Sequence, residues 1–142
     1  MQRRVVFLGV FALAFGLPAG AAEWLTVHGF PQVENTDLIE VDPTSGEVNG
    51  MPVVRLRVSR SEMRTSFQGH RYRSYRGTAL IDCAQREGWY QSGTYYQQPA
   101  WQGDVSAREV YASNEAPMRF KDIPGDALHK IVQAACKLKS TR

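Results

Sequence analysis

The chain contains 142 residues, with 17 lysines and arginines against 14 aspartates and glutamates, and a net charge of +3. This length provides for one domain, which can bury a core of its own but has little stability to spare. The small net charge argues against a protein dedicated to binding nucleic acid, because such proteins concentrate positive charge.

Residues 1–21 have the pattern of a secretory signal peptide. Arg3 and Arg4 form a short positive region, a mostly apolar run follows them, and small residues come next. We expect cleavage after Ala21 or, nearly as well, after Ala22. A retained membrane anchor is the weaker alternative, because a spanning helix needs about 20 apolar residues and this run is shorter. We therefore expect an exported, nearly neutral mature chain with no membrane insertion.

The remaining residues, 22–142, are expected to form a single domain with two cysteines, Cys83 and Cys136. An even number of cysteines in an exported domain predicts a disulfide, and two buried free thiols are the alternative. By the loss of loop entropy in the unfolded chain, such a bridge would stabilise the fold by about 4 kcal/mol.

The middle of the chain has the composition and alternation of β-strands. Residues 53–59 place Val54, Leu56 and Val58 on one face and arginines on the other, which predicts a half-buried strand. Other predicted strands cover residues 38–41, 72–82 and 108–111, and residues 89–98 are read as a strand pair bent at Ser92-Gly93. Residues 61–69 are polar and are expected to form a loop or turn.

The end of the chain has the pattern of a helix. Asp126 suits the capping position, and the following apolar residues recur at helical spacing. These residues are Leu128, Ile131, Val132, Ala135 and Cys136. The predicted fold class is α+β: an antiparallel sheet with a C-terminal helix tied to a strand by one disulfide.

No residue pattern indicates catalysis. The histidines, at 28, 70 and 129, lack the spacing of metal ligands, and neither a nucleophile motif nor a phosphate loop is present. We predict no enzymatic activity, no catalytic residue, no bound metal and no cofactor. One alternative is a small-ligand carrier, for example for haem, in which His70 and nearby tyrosines would contact the ligand.

The strongest surface signal is an arginine-rich stretch, residues 55–76, with seven arginines and only Glu62 as an acid. Arginine binds carboxylate, sulfate and phosphate groups in bidentate fashion, so this stretch predicts contact with an acidic protein or a sulfated glycan. Alternatively, the acidic residues 34–47 neutralise it across neighbouring strands, with Glu40 opposite an arginine such as Arg57. The candidate contact residues are Arg55, Arg57, Arg71, Arg73 and Arg76.

A second signal is aromatic, within residues 89–101. Tryptophan and tyrosine are favoured at interfaces because they bury a large area and keep a polar group. The alternative is that these side chains form the sheet core and cross-strand pairs. The candidate contact residues are Trp89, Tyr95, Tyr96 and Trp101.

Two segments carry a family resemblance: Ile81-Asp82-Cys83 at the end of a strand, and Pro124-Gly125-Asp126 before a helix that ends in Ala135-Cys136. In this order and spacing the chain resembles the surface-adhesin protein E family, from Trp24 to Cys136. The resemblance implies an antiparallel sheet with a helix fixed by a Cys83–Cys136 disulfide. It also implies a binding module, since family members act at the cell surface of Gram-negative bacteria and engage host matrix or serum proteins.

One departure concerns the location. The surface-displayed prototype of the family is a lipoprotein, whereas no cysteine stands directly after the expected cleavage site here, so we predict no lipidation. The expected location is the periplasm or the cell surface, and the expected partners are host matrix or serum proteins, or envelope proteins of the periplasm. The alternative function is a periplasmic structural or stress-related protein with no host ligand.

Overall fold

The computed structural model describes residues 24–140, which form one antiparallel sheet and one C-terminal helix. The strands are β1 (Leu25–His28), β2 (Leu38–Asp42), β3 (Glu47–Val48), β4 (Met51–Thr65), β5 (Arg71–Asp82), β6 (Glu87–Tyr96) and β7 (Val105–Val110), and helix α1 is Ala127–Ser140. The order in the sheet is β1-β2-β4-β5-β6-β7, and the short β3 pairs with β4. The α+β class is therefore right, with the sheet as the larger part. The predicted signal peptide lies outside the described residues.

The core lies between one face of the sheet and α1. Val54, Leu56 and Val58 of β4 are almost fully buried there, as their alternation predicted. They meet Ile131 and Ala135 of the helix, which are equally buried. The apolar faces of both elements are thus covered by each other, which is the main source of stability for a sheet with one helix packed on it.

The helix start and the disulfide are also as predicted. The carboxylate of Asp126 accepts a hydrogen bond from the His129 N–H, at 3.3 Å, and so satisfies one amide of the first turn. Cys83, directly after β5, is bonded to Cys136 of α1, with 5.8 Å between their Cα atoms. The bridge ties the last helix of the chain to a central strand of the sheet.

The loop expected at residues 61–69 is mostly strand, and this prediction was wrong. β4 continues to Thr65, and after a register shift Arg64 and Thr65 pair with Tyr72 and Arg71. Polar residues of this stretch bond to acids from other segments: the Ser61 N–H donates to Asp37 at 3.0 Å, and Arg64 lies 3.4 Å from Asp122. Only the residues between β4 and β5 form the turn.

The bent strand pair expected at residues 89–98 is instead one strand, β6. Gly93 does not start a turn; it pairs with Gly77 of β5 in the middle of the sheet. A Cβ atom on Gly77 would lie 2.4 Å from the carbonyl oxygen of Ser92, so the glycine permits a close approach of two strands. Pairing shifts by one residue at Gln91, which is a β-bulge.

The sheet has two unlike faces. Helix α1 covers only part of one face, and a cleft lined by tyrosines lies on the rest of it. The opposite face, called the outer face here, carries polar and charged side chains. Among residues 24–140, no helix is long and apolar enough to cross a membrane.

We predict that replacing both Cys83 and Cys136 with serine lowers the free energy of unfolding by about 2–4 kcal/mol, because the unfolded chain is no longer constrained by a long closed loop. Denaturant unfolding followed by circular dichroism measures the change. A reductant should shift the wild-type midpoint by a similar amount and leave that of the double variant where it is. An unchanged midpoint in the double variant would show that the bridge contributes nothing.

Candidate functional site

The outer face is organised in rows that run across the strands. One row joins Glu40 of β2, Arg57 of β4, Arg76 of β5, Thr94 of β6 and Arg108 of β7, each opposite the next in register. Side chains at directly opposed positions lie close enough to interact. The row therefore begins with an acid at one side of the sheet and continues with three arginines.

Two tryptophans lie among these arginines. The guanidinium carbon of Arg57 is 4.3 Å from the ring centre of Trp24 and 4.6 Å from that of Trp101. Arg76 lies 5.6 Å from the Trp101 ring, and Arg55 lies 5.8 Å from the Trp24 ring. All four distances are within the range of cation–π contact. We call these five residues the Trp–Arg stack.

Trp101 reaches the stack from an unusual turn, Pro99–Trp101. Ala100 and Trp101 both have left-handed backbone angles, with φ of 53° and 59°. Such a conformation costs of order 1–3 kcal/mol for each residue that is not glycine. The surrounding structure must therefore hold the turn in place.

Two buried serines hold it. Ser59 and Ser74 are opposite each other on β4 and β5, and their hydroxyl oxygens accept the backbone N–H groups of Ala100 and Trp101, each at 3.0 Å. The indole N–H of Trp101 donates to the carbonyl oxygen of Tyr75, also at 3.0 Å. These bonds fix the Trp101 ring over the outer face before any partner arrives.

Two of the candidate arginines are paired within the chain, as the acidic segment allowed. Arg57 donates to Glu40 at 2.5 Å, and Arg55 donates to Asp42 at 2.6 Å. Burial raises the pKa of Asp42, but its hydrogen bonds from Thr44 and Arg55 outweigh this effect and leave the pKa below its usual value. Both carboxylates are buried, and each offsets the charge of the arginine with which it pairs.

The other candidate arginines differ among themselves. Arg76 and Arg71 are exposed, and no salt bridge joins either of them to another of the described residues. Arg73 donates to the Arg60 carbonyl oxygen at 3.1 Å and to the Asn35 side chain at 3.2 Å. Arg76 is thus the member of the Trp–Arg stack whose charge remains available.

The candidate aromatics are divided between the two faces. Trp101 belongs to the Trp–Arg stack, and strand alternation places Trp89 and Tyr96 on the same outer face. Tyr95 is on the opposite face, where it lines a cleft of about 500 Å³ together with four other tyrosines. These are Tyr72, Tyr75, Tyr90 and Tyr111, and we call this site the tyrosine cleft.

Several of these residues carry too little local signal to be recognised from the sequence. Tyr90 and Tyr95 are five positions apart, so a regular strand would place them on opposite faces. The bulge at Gln91 brings them to one face. Trp24 was not among the candidates because its contact with Arg57 joins distant parts of the chain.

His70, considered above for haem, lies beside the tyrosine cleft, with 5.8 Å between its ring centre and that of Tyr95. Its Nε2 atom lies 2.6 Å from a carboxylate oxygen of Glu109, and it is not among the residues that line the tyrosine cleft. Within residues 24–140, no three His, Cys, Asp or Glu side chains are placed to hold a metal ion.

The family model for surface-adhesin protein E matches residues 24–137. The chain belongs to the surface-adhesin protein E family. Neither a curated protein nor a solved structure is significantly similar to it. The matched region includes the Trp–Arg stack, the tyrosine cleft and the disulfide, and membership implies an adhesin-like, non-enzymatic role for an exported or surface protein.

A buried arginine joins β4 to two neighbouring segments through ion pairs. Arg60 is 6% exposed and bridges Asp37, at 2.9 Å, and Asp122, at 2.5 Å. Burial raises the pKa of Asp37, yet the bonds from Arg60 and from the Ser61 N–H bring it below its usual value. The bond from Arg60 also lowers the pKa of Asp122, against the opposing effect of burial. The group ties β4 to the segments before β2 and α1.

We predict that Arg60→Met lowers the free energy of unfolding at pH 7 by about 2–4 kcal/mol, because it leaves the Asp37 carboxylate partly buried without its partner. Because the pKa values of Asp37 and Asp122 are lowered in the folded protein, their ionised carboxylates stabilise the wild type above about pH 4. This stabilisation is lost as the pH falls through the lowered pKa values. The difference between the two proteins should therefore shrink below about pH 4.

Denaturant unfolding at pH 7 and pH 3 measures this difference. Arg64→Met is the control: Arg64 is more exposed and lies 3.4 Å from Asp122, so its loss should cost less than about 1 kcal/mol. An equal difference between Arg60→Met and the wild type at both pH values would contradict the assignment.

Proposed function

We propose that this member of the surface-adhesin protein E family is an exported, non-catalytic domain that binds an acidic surface of a protein partner through the Trp–Arg stack. The observation that carries the proposal is the exposed guanidinium of Arg76 beside the fixed ring of Trp101. The family match supports a binding function but leaves the partner open.

The chemistry of the stack fits such a partner. A guanidinium group binds a carboxylate through two parallel hydrogen bonds, and Arg76 has no carboxylate partner among the described residues. Arg108, the next arginine along the row, is exposed and likewise lies outside the described salt bridges. A partner with acidic side chains at a similar spacing could pair with both.

The Trp101 side chain of the stack is already held in position without a partner, which favours binding. Tryptophan and arginine are enriched among the residues that dominate binding energy at interfaces. Ser59 and Ser74 already hold the Trp101 turn, so little side-chain freedom remains to be lost when a partner binds. We take host matrix or serum proteins as the partner class, and envelope proteins of the periplasm as the class to consider if the domain stays inside the cell.

We predict that Arg76→Glu combined with Arg108→Glu weakens binding at least 10-fold, because it places two negative charges where the partner's carboxylates would lie. The mature domain is titrated onto immobilised matrix and serum proteins at 50 and 300 mM NaCl. Wild-type binding should weaken at the higher salt concentration, and binding by the double variant should depend less on salt.

Arg86→Glu is the matched control, since Arg86 is exposed in the turn between β5 and β6, away from this row. It should bind like the wild type. Equal binding by the double variant, or no binding by the wild type to any of the immobilised proteins, would count against the proposal.

We also predict that the domain can be reached from outside intact cells. An epitope tag after Arg142 should be removed by added protease while a tagged periplasmic control protein survives. If both tags survive until the outer membrane is opened, the partner is an envelope protein or the role is structural, and contact with host proteins is ruled out for this chain.

A further inference from the structure

The tyrosine cleft is a second concave site, on the sheet face opposite the Trp–Arg stack. Its volume of about 500 Å³ is within the range of small-molecule binding sites, about 300–1,000 Å³. Five of the six tyrosines of the chain line it, with Phe67 beside Tyr111 at a ring distance of 5.8 Å. Aromatic walls of this kind favour a flat ring as the ligand.

Hydroxyl groups inside the cleft are arranged as two pairs. The hydroxyl oxygens of Tyr75 and Tyr90 are 2.6 Å apart, and those of Tyr95 and Tyr111 are 2.7 Å apart. In each pair one hydroxyl donates to the other, so one hydrogen per pair remains to be donated. Burial raises the pKa of Tyr75, Tyr90 and Tyr95 above the ordinary value, which keeps these groups protonated at neutral pH.

The rim of the cleft is positive. Arg119 and Lys121 both line it and are exposed, and neither belongs to a salt bridge among residues 24–139. The acid at the rim, Glu115, accepts the backbone N–H of Ala112 at 2.7 Å. The rim thus has two cationic side chains and one carboxylate, which is already hydrogen-bonded. The cleft therefore favours an anionic ligand.

We infer that the tyrosine cleft binds a small aromatic carboxylate of one or two rings. The rings lie between the tyrosine side chains, and the carboxylate meets Arg119 and Lys121 and accepts the remaining hydroxyl hydrogens. This inference is independent of the proposed function, which uses the other face.

The probe is 2-naphthoate, a two-ring carboxylate, titrated into the ¹⁵N-labelled mature domain. We expect saturable binding with a Kd of about 0.1 mM, as the ligand efficiency of a compound this small allows. The amide signals that move should be those of residues at the cleft, such as Tyr90, Gly93 and Tyr111. Movement confined to outer-face residues such as Arg57 and Arg76, or no saturation at 5 mM, would overturn the inference.

Variants separate the role of the rim from that of the walls. Arg119→Gln with Lys121→Gln should weaken 2-naphthoate about 5-fold, because two exposed charge contacts are lost. It should leave the neutral methyl ester of the same acid unaffected. If the ester and the acid weaken equally, the carboxylate does not meet these residues and the inference is wrong.

Gly93→Ala tests the walls, since a Cβ atom there would lie 3.3 Å from the Tyr95 ring and 3.4 Å from the Tyr111 hydroxyl oxygen. It should weaken both ligands, while Tyr96→Phe, on the other face of the same strand, should weaken neither. The dispersion of the amide signals shows whether each variant is folded. If Tyr96→Phe weakens both ligands and Gly93→Ala does not, the ligand binds the outer face and the inference fails.

Discussion

The salt bridge between Glu40 and Arg57 is the interaction on which the outer face depends. Glu40 is almost fully buried, so its carboxylate needs the guanidinium of Arg57 as a partner. The same bond fixes the guanidinium plane, and this allows the rings of Trp24 and Trp101 to lie against it. Lysine could keep the charge here, but it has no plane on which two rings can stack. The register of β2 on β4 therefore decides whether the Trp–Arg stack exists.

Most of the fold could be predicted from local patterns. The alternation of Val54, Leu56 and Val58 and the helical spacing after Asp126 each describe a face that must be buried, and each element forms as expected. The two wrong predictions, a loop at residues 61–69 and a bend within residues 89–98, rest on residue types that are common in loops and turns but also occur within strands. Arg64 was expected in a polar loop but lies in β4 and pairs with Asp122, and Gly93 was expected in a turn but lies where two strands approach closely.

The candidate site was predicted less completely, because its parts are brought together by features with no sequence signal. The pairing of Glu40 with Arg57 was foreseen as an alternative to a free arginine surface, and the register confirms it. The position of Trp101, however, depends on a left-handed backbone at Ala100, which no glycine or asparagine marks. The separation of Tyr95 from Tyr96 follows alternation, but the meeting of Tyr95 with Tyr90 needs a bulge that the sequence does not reveal.

The two surfaces share the central strands β5 and β6, and this limits how they can influence each other. Tyr75 lines the cleft while the next residue, Arg76, belongs to the stack on the other face. A direct link between the surfaces is the bond from the Trp101 indole to the Tyr75 carbonyl oxygen. This link involves the backbone, which is held on both sides by the ladders of β4 and β6. A ligand that only fills the cleft leaves these ladders in place, so binding on one face changes the other only if it displaces β5 itself.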